Sequence, residues 1–445
     1  MASDLLLIGK AGTVAARSAL ELTAQNIANA DNPDYARRTI GLQEVIATGA
    51  IAGYSESAFG GVRVDGVQRT DAVFLQNQAR RTASDLTRAD AELAGLTATE
   101  TAIEQTGIYP AIVEFEASLA RLQSDPLDPA LRAAVLESGR AVAETLNIAD
   151  NTLAQSGEQI RFEAAARADT VNLHAQELAQ INAAIVRAEP GSSSYAALLD
   201  QRDAQLARIA EQAGIAVSYN PDATVAVRLG DASGPLLVSG TQTFDLAMTT
   251  NGDGTIDFAV AGAPVTLASG SLAGQAQALV AQRDWGIRLD DLAALTIQQV
   301  NNAQANGAAP DGSAGQPFFS GSTAGDIAVA LASGAGIATA PAGSPAQSRD
   351  TGNLESLRNA LANGGPASAA DSLIFELANA VRSRTITRDA VSIIAESAQT
   401  ALVTETGVDL EEEALNLVRF QQAFQASGRV IQAASDIFDT ILGIR

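Results

Sequence analysis

Cysteine is absent from the 445 residues. That excludes a disulfide framework, a thiolate metal site and a cysteine nucleophile. Histidine occurs once, at His174, so no multi-histidine metal site can be built and at most one histidine-based catalytic set. Aromatic residues make up only 4% of the chain although hydrophobic residues reach 47%. The apolar mass is therefore Ala, Leu, Val and Ile, the composition of helices packed closely on small side chains. No apolar run approaches the ~20 residues of a membrane helix. Basic side chains are scarce too, 28 against 51 acidic ones, giving a net charge of −23. Such a balance repels phosphate backbones and argues against nucleic acid as a partner. Asp4 precedes a short apolar run, Leu5 to Ile8, where a cleaved export signal needs a cationic start and an apolar stretch of ~7–15 residues. G-x-S-x-G, P-loop and G-x-G-x-x-G patterns are all missing.

What is present is mostly helical periodicity. The first 30 residues read as a helix with Ser3 as N-cap, with Leu6, Thr13, Leu20 and Ile27 recurring every seven residues and Gly9 and Ala16 between them. Asn29 to Asp34, with Asn32-Pro33, ends it. Residues Thr39 to Val67, rich in glycine (Gly49, Gly53, Gly60, Gly61), predict irregular structure with short strands. Leu75, Ala79, Thr82, Leu86, Ala89, Leu93, Leu96 and Ile103 mark a long amphipathic helix, and Pro110, Pro126 and Pro129 punctuate the stretch beyond it. A second long helical region spans Pro129 to Ala188, and another helix Ser194 to Ala213. Alternating segments from Ile215 to Ser269 form a small β insert. Helix returns at Ser271 to Asn306, a Gly/Ala/Ser/Pro-rich stretch from Gly307 to Gly352 reads as loop, and helix dominates from Asn353.

The strongest pattern lies at the end. Leu417, Phe420, Phe424, Ser427, Ile431, Ala434, Phe438 and Ile441 alternate spacings of three and four, an a/d seam of almost four heptads. Asp409 followed by Glu412 fits a capping box, and Glu411 to Glu413 read as acids placed at the positive helix end. Chemistry-bearing clusters resolve into plainer uses. Asn251-Gly-Asp-Gly-Thr-Ile-Asp257 resembles part of a calcium loop but lacks its opening carboxylate and closing glutamate, so it reads as a tight β-turn and no metal is expected. Asp200 and Asp203 share a helix face beside Arg202, which suits salt bridging. No cofactor and no catalytic residue is assigned, and the chain reads as a structural protein rather than an enzyme.

Two terminal motifs carry a resemblance. Asn26-Ile-Ala-Asn29 followed by Asn32-Pro-Asp-Tyr-Ala-Arg37 resembles the N-terminal signature of bacterial flagellar axial proteins, N-x-(A/S)-N then T-x-G-Y-x-R. Thr406-Gly-Val-Asp-Leu-Glu-Glu-Glu-Ala-Leu-Asn-Leu-Val-Arg-Phe-Gln-Gln-Ala-Phe-Gln-Ala-Ser427 and Ala434-Ser-Asp-Ile-Phe-Asp-Thr-Ile-Leu442 are similar to the matching C-terminal signature of the hook-associated protein 1 family. Leu198-Leu-Asp-Gln-Arg-Asp203, Val300-Asn-Asn-Ala-Gln-Ala-Asn-Gly307 and Phe318-Phe319 resemble the interior of that family. Asp34 stands where the family has glycine; aspartate tolerates left-handed backbone, so the turn is expected to survive. The length implies that an outer domain is missing or reduced.

The resemblance implies a mainly α, nested chain whose N- and C-terminal helices pair as a coiled coil. The expected parts are a terminal domain (1–60 and 405–445), a long-helix core (61–214 and 271–404) and the β insert (215–270). It implies a structural subunit at the hook-filament junction, exported through the flagellar type III channel without a cleaved signal and extracellular, with no membrane insertion. Its implied partners are like subunits in a ring, the hook protein, the second hook-filament junction protein and an export chaperone. The assembly residues expected on this basis are Leu6, Leu20, Asn26, Ile27, Asn29, Tyr35, Arg37, Leu417, Phe420, Phe424, Ile431, Phe438 and Ile441. Another axial protein (hook, rod or filament subunit) is the alternative, and an extracellular coiled-coil adhesin a weaker one.

Overall fold

A computed structural model describes residues 2–44 and 61–442, and side chains from 5 to 440 within them. The segment holding Gly49, Gly53 and Gly60 lies outside the described residues, as does the side chain of Ile441. The order is α1 (Ala2–Ala28), β1 (Arg38–Glu44), β2 (Val62–Arg69), α2 (Val73–Glu104), α3 (Ile108–Leu122), α4 (Pro129–Arg187) and α5 (Ser193–Gln212). Strands β3 (Ile215–Tyr219), β4 (Val225–Leu229), β5 (Leu236–Ser239), β6 (Gln242–Thr243), β7 (Leu246–Thr250), β8 (Ile256–Val260) and β9 (Ala263–Val265) come next. Helices α6 (Ser271–Ala305), α7 (Gly352–Ala362), α8 (Pro366–Thr406) and α9 (Leu410–Leu442) complete it. The chain is mainly α, with a few small sheets.

Two compact units are each woven from distant segments. One contains Met1–Ser84, Thr170–Asp245 and Ile393–Arg445; the other contains Asp85–Asp169 and Leu246–Ser392. The β-rich stretch is correspondingly two sheets, β3-β4-β5-β6 in the first unit and β7-β8-β9 in the second, all antiparallel. β4 shows why the sheet holds: Val225, Val227 and Leu229 alternate into the core while Ala226 and Arg228 stay half-buried.

The first unit contains the terminal pair. α1 and α9 run antiparallel, Gly9 lying against Ile431 and Gly12 against Ser427. β1 and β2 form an antiparallel pair from Arg38↔Arg69 to Glu44↔Val62, with a register shift after Gly41. Short strands were expected in this stretch, and the β-prone run Gly61 to Asp65 leads into and lies largely within β2. α1 begins at Ala2, so Ser3 is inside the helix and not its cap.

The second unit has the larger apolar core. Val135, Val142 and Leu146 of α4, Leu289, Leu292 and Val300 of α6, and Ile108, Ile112 and Phe115 of α3 meet in it. Helix α3 forms in spite of Pro110, because proline in a first turn removes only an N–H that the helix leaves unbonded. The stretch from Gly307 to Gly352 is ordered and mostly irregular, with two short antiparallel pairs, Gly307–Ala308 with Ala340–Pro341 and Phe319–Ser320 with Ala328–Val329. Phe318 and Phe319 are buried and pack on Phe115 with ring centroids 4.7–5.9 Å apart. Helix side chains hold much of the remaining backbone. Asn301 accepts from the N–H groups of Phe318 (2.8 Å) and Phe319 (3.0 Å) and donates to the Phe319 carbonyl (2.8 Å). Arg132 donates to the carbonyls of Pro126, Gly334 and Ile337 and to the Thr339 hydroxyl. Burial among neutral partners pushes its guanidinium down to about 10.

Candidate assembly site

The pairing of α1 with α9 rests on small residues. A Cβ at Gly9 would stand 2.7 Å from Ile431 Cγ1, and one at Gly12 would stand 2.6 Å from Ser427 Oγ, so glycine sets the separation of the two backbones. On α9 the least exposed positions are Glu413, Asn416, Leu417, Phe420, Ser427, Ile431 and Ala434; Phe424 and Phe438, which the sequence spacing puts on the same seam, are exposed instead. On α1 the buried positions are Gly9, Ala15, Ala16, Ala19, Leu22, Thr23 and Asn26. The heptad column of larger residues therefore flanks the buried seam. Leu6 is 43% exposed, while Leu20 and Ile27 are half-buried.

One partner helix covers only part of each surface. Phe424 remains 40% and Phe438 54% exposed, and Leu415, Val418 and Ile437 join them on α9. Leu5, Leu6, Leu7, Ile8 and Val14 form the corresponding exposed set on α1. Large apolar side chains left open in this number on two paired helices mark an interaction region.

A buried polar node ties the helix pair to the rest of its unit. Asn26, 1% exposed, donates through Nδ2 to the Arg38 carbonyl (2.8 Å). Its Oδ1 accepts from the Tyr35 hydroxyl (2.8 Å) and the Arg38 N–H (3.2 Å). Every hydrogen-bonding direction of the amide that matters to the turn is thereby used. Asn29 Nδ2 reaches back to the Gln25 carbonyl, and Asn32 receives the Asp34 N–H, which shapes the turn itself. Asp34 is not among the residues with positive φ, so no left-handed tolerance is needed there. Its carboxylate instead pairs with Arg208 at 3.3 Å.

Below the turn lie the charges. Arg38 stacks on the Tyr35 ring at 4.6 Å and donates to Asp200 Oδ2 at 2.6 Å. Arg69 donates to Asp200 Oδ1 and Asp203 Oδ2, each at 2.7 Å, and also pairs with Asp71. Arg202 binds Asp203 and the Ala223 carbonyl. Burial alone would lower the Arg69 pKa; Asp203 and Asp200 outweigh it and raise it. Burial, helped by Asp200 and opposed by Arg38, pushes the Tyr35 phenol up.

Arg37 closes the circle between the two ends of the chain. Its N–H donates to the Thr406 carbonyl (2.8 Å), and its side chain reaches Glu413 (2.8 Å) and Glu412 (2.6 Å). Burial would depress its pKa, but the two glutamates raise it. Glu413 is only 2% exposed. The acidic run is thus more than a helix-capping feature. Asp409 does cap α9, accepting from the N–H groups of Glu411 and Glu412, but Glu412 turns to Arg37 instead of completing a capping box. The sequence pattern did not reveal this, nor did it reveal Arg38 and Arg69 as the partners of Asp200. The available signal was Arg37 and Arg38 near one terminus and the acidic run Glu411 to Glu413 near the other. His174 lies 3.4 Å from Glu177, and the Asn251–Asp257 side chains are engaged in the β7–β8 turn.

The two ends of the chain thus form one structural element, a helix pair joined to its unit through a buried node. Residues 399–444 match the family model for the flagellar basal body rod FlgEFG protein C-terminal region. Residues 96–319, half of the chain, match the model for the flagellar hook-associated protein FlgK helical domain. The chain belongs to the flagellar hook-associated protein FlgK family. Flagellar hook-associated protein 1 of Bacillus subtilis (strain 168) is 25% identical across 96% of this chain and 95% of its own length. The protein of that name from Escherichia coli (strain K12) is 27% identical across 55% of this chain and 45% of its own. The structure of the flagellar hook junction protein FlgK from Burkholderia pseudomallei shares the fold, with a TM-score of 0.64 at 14% identity, covering 73% of this chain and 99% of that one.

Proposed function

We propose that this chain is a structural subunit of the junction between flagellar hook and filament, assembled through its paired terminal helices. The observation that carries this is the pairing of α1 with α9 while Leu5 to Ile8, Phe424 and Phe438 stay exposed on the outer faces. Lateral packing of like subunits would bury those faces, and the area removed from water is the driving force. Leu6, Leu20 and Ile27 sit on the flanks where a neighbour would meet them. Leu417, Phe420 and Ile431 work within the pair. Asn26, Asn29, Tyr35 and Arg37 position the pair on its unit, so their contribution to assembly is indirect. Ile441 is retained as an interface residue on the sequence pattern alone.

In this reading the partners are a ring of like subunits, the hook protein and the second junction protein. A cytoplasmic chaperone shields the termini before export through the flagellar type III channel to the extracellular organelle. The terminal segments 1–60 and 405–445 act as the assembly part, 61–214 and 271–404 as the core, and 215–270 as an insert. No cofactor and no catalysis are involved. The test is replacement of Phe424 and Ile431 together by Asp. Each places a charge where an apolar knob is required, costing several kcal/mol by order of magnitude. The expected result is loss of the chain from purified flagella; wild-type incorporation and motility would overturn the proposal.

A further inference from the structure

Asparagine is followed by glycine three times, at Asn251-Gly252, Asn306-Gly307 and Asn363-Gly364. Glycine puts no side chain in the way of its own amide nitrogen and lets the peptide turn freely. That nitrogen can then reach the carboxamide carbon of the preceding asparagine. Two of the three steps are pinned. Asn251, in the β7–β8 turn, donates its N–H to the Thr255 carbonyl (2.8 Å) and accepts from the Gly254 N–H (3.0 Å). Its side-chain amide donates to Thr255 Oγ1 (3.0 Å) and Asp257 Oδ2 (2.9 Å). Asn306 donates its N–H to the carbonyls of Asn302 (3.3 Å) and Ala303 (3.2 Å), and its own carbonyl accepts from the Ala342 N–H (3.1 Å). Gly307 beside it is buried, and a Cβ there would stand 2.2 Å from Asn353 Nδ2. Neither peptide can turn without breaking its surroundings.

The third step, between α7 and α8, is open. Asn363 and Gly364 are both exposed, and a Cβ on Gly364 would meet nothing within 4 Å. Asn363 has φ −107° and ψ 79°, outside helical geometry. Among the described residues, neither its carbonyl nor the Gly364 N–H enters a backbone hydrogen bond. A single hydrogen bond holds its side chain, from Nδ2 to the Asn359 carbonyl (2.8 Å).

We infer that Asn363 is a site of self-modification. The Gly364 nitrogen attacks Cγ of Asn363, the carboxamide C–N bond breaks, and the proton lost by Gly364 leaves with the amide group as ammonia. One water then opens the resulting succinimide at either carbonyl, giving aspartate or isoaspartate. The sequence of steps is redox-neutral, consumes only water and is independent of assembly. Its product places a carboxylate at the negative end of the α7 dipole and deprives the Asn359 carbonyl of its donor. Isoaspartate also adds a methylene to the main chain between α7 and α8. Leu354, Leu357 and Leu361 anchor α7 in the apolar core, so the strain falls on the last turn of that helix.

The test needs only the native chain. It is held at mildly alkaline pH, folded and in parallel unfolded in urea, and the three asparagine-glycine peptides are followed by mass spectrometry that separates aspartate from isoaspartate. In the folded chain Asn363 should convert about tenfold or more faster than Asn251 and Asn306, because each hydrogen bond that must open first slows the attack. In urea the three should convert at similar rates, and the Asn363 product should be a mixture of both forms. A folded chain in which Asn251 or Asn306 keeps pace, or in which Asn363 stays intact while it converts in urea, overturns the inference. The same ranking in urea as in the folded chain would mean that neighbouring sequence sets it, which also overturns it. Aspartate as the sole product would mark direct hydrolysis and exclude attack by Gly364.

Discussion

Asp200→Asn removes one negative charge from between two buried guanidinium groups. In the native node, Asp200 receives Arg38 Nη2 at 2.6 Å, Arg69 Nε at 2.7 Å and the Ala36 N–H at 3.4 Å. Asparagine keeps one oxygen but turns an NH2 donor toward a donor, leaving at least one guanidinium without its acceptor. Removing one member of a buried pair destabilises by about 3–5 kcal/mol, because the remaining charge stays desolvated. The two-unit architecture makes a single unfolding midpoint a poor readout, so the effect is best read locally. Amide exchange at Ala36, Arg38 and Thr70 reports opening of the turn and of the β1–β2 pair. At 1.4 kcal/mol per factor of ten, exchange should accelerate by roughly two to three and a half orders of magnitude. The exposed Asp34–Arg208 pair provides the control: Asp34→Asn should change exchange by less than about threefold, since surface pairs contribute little. An Asp200→Asn chain that exchanges within about fivefold of the native rate would refute the node as the fastening of the terminal helices.

Other consequences are equally concrete. Gly9→Ala should loosen the α1–α9 pair by about 1–3 kcal/mol through overpacking against Ile431, read as faster exchange along α1, and Gly428→Ala, which faces open space, should not. Asn301→Ala removes three hydrogen bonds to Phe318 and Phe319 and should destabilise the second unit by about 2–4 kcal/mol, measured as lower protection of those amides. Asp326 accepts the Ser322 and Thr323 N–H groups, which hold its carboxyl at about 2, below the ordinary 3.8. Because the folded value is depressed, its stabilisation is complete above pH ~4 and is lost as pH falls through ~2. The Ser322 and Thr323 amides should therefore lose protection in that window, and Asp326→Asn should abolish the pH dependence.

The helical skeleton was legible because long helices repeat their apolar positions many times: α2, α4 and α9 were each visible as stripes of three-four spacing. Leu417, Phe420, Ser427, Ile431 and Ala434 of the α9 seam lie on its least exposed side, whereas Phe424 and Phe438 of the same spacing stay open to solvent. On α1 the pattern gave Leu6, Thr13, Leu20 and Ile27 with Gly9 and Ala16 on the alternate positions; the small positions are the buried ones, since Gly9 and Gly12 leave no room for a Cβ. Periodicity alone does not rank the small column above the large one. Low complexity likewise suggested loop from Gly307 to Gly352. The order there comes from Asn301, Arg132 and Asn353, polar side chains on other elements whose reach no local pattern reveals. The same holds for the node. Asp200 and Asp203 were read with their neighbour Arg202, yet their main partners, Arg38 and Arg69, lie more than 130 residues away in the chain. Asn26, Tyr35 and Arg37 could be singled out by motif, but their bonds to Arg38 and Glu413 required the fold.

Hydroxyl-radical labelling of Phe424 and Phe438, compared between the free chain and intact flagella, addresses the terminal-helix interface most directly. Both rings are open to solvent in the single chain, so both should label readily there and become strongly protected in the organelle. Equal labelling in the two states would mean that no neighbour covers α9, and that the paired termini are not where these subunits meet.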